Sequence, residues 1–144
     1  MTSPHDPAPA TTAGARVPRY EVQVPMVVQL KTGLRPLTHN DRMHWRPKAN
    51  AVKTIRDQVA AHARLARIPR AEHITVQLHY RPGSRSVTDA PNLTATSKPA
   101  IDGLVDAGLV PDDKDRHVTE LMPVIHPGRG ERRLWLEVQI TKEH

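Results

Sequence analysis

The apolar residues of this chain change their spacing from every second position to every third or fourth and back, and that alternation restricts it to a mixed fold. YEVQVPMVVQL (20–30) is valine-rich and partly alternating, which predicts a strand, and Pro25 within it points to a sheet edge or a bulge. KTGLRPLTHNDRMHWRPK (31–48) reads as a loop punctuated by Gly33, Pro36 and Pro47. From Ala49 to Ala66 the period becomes helical: Val52, Ile55, Val59, Ala63 and Ala66 form one apolar stripe. Ile74, Val76, Leu78 and Tyr80 then alternate through HITVQLHYRP (73–82), a second strand. Residues 92–108 read as a helix with Pro99 near the first turn of its regular part and Gly108 at its end. VTELMPVIHPG and RRLWLEVQI predict two more strands, joined as a hairpin by HPGRGE. The expected fold is α+β: one small domain with a mixed β-sheet of about four strands and two main helices.

At 144 residues the chain has room for one hydrophobic core, expected over residues 19–144. Residues 1–18 are rich in Pro, Ala and Thr and read as a disordered tail, because such a composition buries too little surface to offset ordering entropy. No signal-peptide pattern and no apolar run of roughly 20 residues is present. Cysteine is absent, which excludes disulfide staples and thiolate metal sites and fits a cytoplasmic location. No repeat, phosphate-binding loop or dinucleotide fingerprint occurs, and the histidines, His39 and His44 among them, do not fall in a zinc-binding frame.

Net charge is +6, unevenly placed. Residues 1–70 hold 12 bases against 4 acids, net +8, whereas residues 71–144 hold 9 against 11, net −2. A basic half joined to an acidic half suits a chain that grips a polyanion with one surface and works on it with another. Lys53, Arg56, Arg64 and Arg67 recur at near-helical spacing, forming either a solvated face or a phosphate-binding ridge. Phenylalanine is absent and only two Trp and two Tyr occur, which argues against an extended platform for stacking unpaired bases.

The stretch TDAPNLTATSKPAIDGLVDAGLVPDD (88–113) spreads aspartates and one lysine through an apolar, helix-like run. Asp89 follows the second strand, and Asp112 and Asp113 follow the helix, so folding would bring acids together from a strand end and a helix exit. Magnesium is held by one or two carboxylates with water completing its shell, and it would activate a water against a phosphate. Lys98, on the intervening helix, would steady a phosphate or leaving oxygen as a point charge. The same residues also suit turn chemistry: Asp89 as a helix N-cap, Asp112-Asp113 as a turn before a strand. Asp102 and Asp106, four apart, read as the helix's polar face, and Asp115 as solvent-exposed.

DAPN, Leu93, Lys98, Asp102, Gly103-Leu104, Ala107-Gly108 and Asp112-Asp113 together resemble the RusA family of Holliday junction resolvases, in its actinobacterial and phage branch. PLTHNDRMHW and the basic helix after it are similar to that branch too, so the resemblance spans roughly residues 20–141. It implies a homodimeric α+β nuclease that makes paired symmetric nicks in branched DNA, four-way junctions above all, using magnesium, with manganese as a substitute. Carried over by position, it gives catalytic roles to Asp89, Lys98 and Asp113, metal ligation to Asp89, Asp112 and Asp113, and a motif role to Asn92. Arg42, Arg46, Lys48, Lys53, Arg56, Arg64 and Arg67 would hold DNA phosphates. The sequence departs from the pattern at Pro91, where the family has an aspartate; the alternative is a junction-binding protein of the same fold with weakened or lost catalysis.

Overall fold

A computed structural model describes residues 17–83, 88–128 and 130–144. Six strands and two helices run in the order β1 (Arg19–Gln23), β2 (Val28–Leu30), β3 (Gly33–Arg35), α1 (Trp45–Leu65), β4 (Ala71–Arg81), a 3-10 turn (Ala90–Leu93), α2 (Thr94–Asp106), β5 (Val118–Ile125) and β6 (Arg133–Glu143). The main sheet has the order β1-β6-β4-β5, and β2 pairs with β3 in a small separate ribbon. β4 pairs antiparallel with β6 and parallel with β5, so the sheet is mixed. A parallel neighbour requires a crossover, and the chain between β4 and β5 supplies it as α2. The expected tail falls outside the described residues except for Val17 and Pro18, and the Pro18 carbonyl accepts the Ile140 N–H at 2.9 Å. Among the described residues no helix is long and apolar enough to cross a membrane.

Alternation in β4 and β6 sends Ile74, Val76, Leu78 and Tyr80, with Leu134, Leu136, Val138 and Ile140, into one buried layer. Ile55, Val59 and Ala63 of α1 and Ala100, Ile101 and Leu104 of α2 belong to the same core. The opposite face of the sheet is polar. There Trp135, only 6% exposed, stacks with His79 and His126 at ring separations of 5.1 and 5.2 Å, with the Arg133 guanidinium 4.3 Å and that of Arg81 5.6 Å from its centre.

Three expectations for the strands and their connections are corrected. The 20–30 strand divides into β1 and β2, because Pro25 has no N–H to continue the ladder; β1 does occupy a sheet edge. The loop over 31–48 contains β3 and the first turn of α1, where Pro47 is accommodated because first-turn N–H groups have no helical partner. β5 and β6 do not form a hairpin. Every second residue of β6 from Leu134 to Ile140 is buried, which suits a central strand, whereas Thr119, Glu120, Leu121 and Met122 of β5 are exposed, as at an edge. The two strands therefore flank β4 instead of pairing with each other.

Pro99 lies one turn deeper in α2 than its sequence position suggests, inside the helix, because the regular helix starts at Thr94. Its missing N–H leaves the Ala95 carbonyl without the usual donor. α2 is held instead by its packing on α1. A Cβ placed on Gly103 would lie 2.5 Å from the Arg56 carbonyl oxygen, 3.0 Å from Val59 Cβ and 3.1 Å from the Ala60 nitrogen. Alanine would gain up to about 1 kcal/mol in helix propensity, but overpacking against backbone costs more. Gly103→Ala is therefore expected to lower stability by about 2 kcal/mol, read as a drop in the urea midpoint. An unchanged or raised midpoint would contradict the close helix crossing.

Candidate functional site

The acidic segment enters α2 through the 3-10 turn, closed by a 3.0 Å bond from the Asn92 N–H to the Asp89 carbonyl. Asp89 occupies the N-cap position of this turn with extended backbone, as the N-cap alternative expects, but its carboxylate makes no capping hydrogen bond. Pro91 sits in the first turn, where its fixed φ suits the helical backbone, and its carbonyl accepts the Thr94 hydroxyl at 2.8 Å. Asn92 works through its backbone on both sides, its carbonyl accepting the His39 N–H at 3.1 Å. Leu93 is fully buried and anchors the turn to the core.

The segment before α1 is tied to the same turn. The buried Thr96 hydroxyl donates to the Leu37 carbonyl at 2.7 Å, and His39 Nε2 shares a 2.7 Å hydrogen bond with the Thr94 hydroxyl. Asp41 fixes this segment internally by pairing with the Arg35 guanidinium and accepting the Thr38 N–H at 2.7 Å. Burial opposes charge on Asp41, yet those donors hold its carboxyl below the usual carboxylate range.

Lys98 extends from α2 to hydrogen-bond Asp113 and approaches Asp102 Oδ1 at 3.4 Å. The Asp113 hydrogen bond raises the Lys98 ammonium above its ordinary value, and the same bond holds Asp113 below the carboxylate range. Asp112 is used differently. Its Oδ1 accepts the Lys114 N–H at 2.9 Å, which is turn chemistry. Lys98, Ile101, Asp113, Asp115, Val118, Thr119 and Glu120 line an open groove of about 470 Å³ between α2 and β5. Asp89 is not among these lining residues, although the 3-10 turn that it precedes packs against β5.

Glu120 was not singled out from the sequence. Part of its side chain meets solvent, but desolvation of the carboxyl raises it above its ordinary value, against the opposing pull of Lys98 and a hydrogen bond with the Ser97 hydroxyl. The available signal was strand parity, which puts Glu120 on the same face as the buried Val118. Asp102, expected on the polar face of the helix and within the RusA-like motif, is a neighbour of Lys98 one turn away.

The oxygen donors of the groove are of the class that a hard divalent cation takes, and one or two carboxylates suffice for magnesium. Among the described residues no three His, Asp or Glu side chains are drawn together closely enough to hold an ion. Asp89, Asp112 and Asp113 thus do not form a preassembled cluster, and the groove offers Asp113 with Asp115 and Glu120 as neighbours.

The basic residues divide into two groups. Arg56 makes a two-bond pair with Asp106, at 2.5 and 2.8 Å, and Arg64 donates to the Asp106 carbonyl at 2.9 Å. The pairing holds Asp106 below the carboxylate range and raises Arg56. Lys53 pairs with Asp57 at 2.6 Å. Arg67 is exposed just past α1, with left-handed backbone at φ 55°. Arg42, Arg46 and Lys48 are exposed and, among the described residues, form no ion pair with an acid. Arg56, Arg64 and Lys53 are therefore partly committed to partners within the fold, whereas Arg67, Arg42, Arg46 and Lys48 are, among the described residues, open to an external anion. Compared with models of known protein families and with curated proteins, the chain matches none.

Because folded Asp113 titrates below its unfolded value, its pair with Lys98 stabilises the fold above about pH 4 and is lost as pH falls through the folded value. Lys98→Ala should return the Asp113 carboxyl toward the ordinary carboxylate range and move Glu120 further above its own. Carboxyl carbon-13 titration by NMR reads both, and an unmoved Asp113 would refute the pairing.

Proposed function

We propose that the chain is a structure-specific endonuclease of the RusA type. It acts as a homodimer on four-way junctions and other branched DNA and makes paired symmetric nicks. The observation that carries this reading is Lys98, held by Asp113 and faced by Glu120 across an open groove. A cation poised among acids suits a site that must receive a phosphodiester and release an alkoxide. Magnesium is the expected cofactor, with manganese as a substitute, and Asp113 with a neighbouring carboxylate would hold it. When bound, its charge would make a water nucleophilic and offset charge on the scissile phosphate.

Each protein group then has a limited task. Lys98, released from Asp113, would contact a phosphate oxygen or the departing oxygen as a point charge. Asp89, whose carboxylate makes no capping hydrogen bond and which precedes the 3-10 turn that packs on β5, would serve as a further acid toward the same backbone. Exposed Arg42, Arg46 and Lys48 would bind flanking phosphates, positioning DNA without reading its sequence. A two-fold dimer would present two such sites to symmetry-related strands, which suits paired nicks.

A second reading, favoured by Pro91, is a junction-binding protein of the same fold with weakened catalysis. Proline places no oxygen where the RusA pattern has an acid, and here it serves the 3-10 turn. A labelled four-way junction and a linear duplex of equal length, each with magnesium or manganese, separate the two readings. Wild type should nick the junction in pairs and spare the duplex. Asp113→Asn should slow cleavage by at least about a hundredfold while binding persists. Junction that is retarded but uncut in both metals supports the second reading, and cleavage by Asp113→Asn at the parental rate removes Asp113 from the site.

A further inference from the structure

Trp45 is the first residue of α1 and is 71% exposed. The other tryptophan, Trp135, shows how this chain treats an indole it needs for its own structure: it is 6% exposed and covered by Arg81, Arg133 and two histidines. Among the described residues nothing comparable covers Trp45. The Arg46 guanidinium lies 5.2 Å from its ring centre, within cation–π range, and Arg42 and Lys48 are exposed on either side in sequence. An open indole among cations that have no described acidic partner is a surface matched to a base beside phosphates.

The backbone that carries Trp45 is not a loose loop. Leu37 and His39 are hydrogen-bonded to α2 and the 3-10 turn, and Asp41 is locked by Arg35 and the Thr38 N–H. Lys48 N–H bonds the His44 carbonyl at 3.1 Å, which fixes the first turn around Trp45. The backbone at Trp45 is therefore tied to the 3-10 turn that Asp89 precedes. We infer that Trp45 stacks on the face of a base pair left uncovered at the branch point of the bound DNA, while Arg42, Arg46 and Lys48 hold the phosphates beside it. This rests on the reading of the chain as a branched-DNA nuclease and adds how branched DNA is told from linear duplex. The interior of a duplex offers no open base face, whereas each arm of a four-way junction ends in one at the branch point. One aromatic side chain is enough, because base stacking on a single ring is tolerant of sequence.

The test uses the full-length protein without divalent metal, so that DNA is bound and left intact. Tryptophan emission is followed as a four-way junction or a linear duplex is added, with Trp45→Ala defining the Trp135 contribution. Emission from Trp45 should be quenched by the junction and little changed by duplex. Trp45→Ala should weaken junction binding about tenfold and leave duplex binding within about twofold, with Trp45→Tyr recovering most of the loss. Equal loss on both DNAs, or junction binding with unchanged Trp45 emission, would overturn the inference and leave the nuclease reading standing. An emission change that follows protein concentration without DNA would also overturn it, assigning Trp45 to a contact between copies. If wild type binds neither DNA, the functional reading fails and this inference with it.

Discussion

The approach of α2 to the backbone of α1 at Gly103 is the constraint on which the candidate site depends. With no Cβ at that position, α2 lies against Arg56, Val59 and Ala60, and its Leu104 and Ile101 reach the core. That seating fixes the rotation of α2. Once Ala100, Ile101 and Leu104 point inward, Lys98 must emerge toward the helix exit loop and β5, where Asp113 and Glu120 are waiting. A larger residue at 103 would displace the lysine along with the helix.

Electrostatics follow from the same packing. The basic first half of the chain and the acidic second half meet where α1 crosses α2, and part of the charge is neutralised there by Arg56 and Asp106. What remains exposed is separated: carboxylates gather in the α2–β5 groove, and cations with no acidic partner among the described residues gather at the start of α1. The hydrogen bonds from Leu37 and His39 to α2 and its entry turn connect these two regions. Under the proposed reading, the cations would hold a charged polymer laid across both regions, and the acids with Lys98 would act on its backbone.

The sequence conveyed the class of fold because alternation and helical spacing are local signals, as in Ile74 to Tyr80 and Ile55 to Ala63. It did not convey that β6 inserts between β1 and β4, since pairing partners are set by which faces become buried. The short HPGRGE connection looked sufficient for a hairpin, yet the buried layer from Leu134 to Ile140 required the sheet's interior. In the site, the contact of Lys98 with Asp113 was foreseeable from an acid and a base placed at a helix and its exit. The differing uses of Asp112 and Asp113 were not, because two adjacent identical residues point in directions that only the turn decides. Glu120 was hidden for the opposite reason: it stands alone in a strand and gains its setting from α2.

The central claim is that the α2–β5 groove is the working centre, and locating a divalent ion on the folded chain tests it most directly. Substoichiometric Mn²⁺ added to nitrogen-15-labelled protein broadens the amide signals nearest the ion. The account predicts that the signals of Asp113, Lys114, Thr119 and Glu120 fade first, with those around Lys98. Broadening centred on His79, His126 and Glu137 across the sheet, or spread evenly over the molecule, would contradict it.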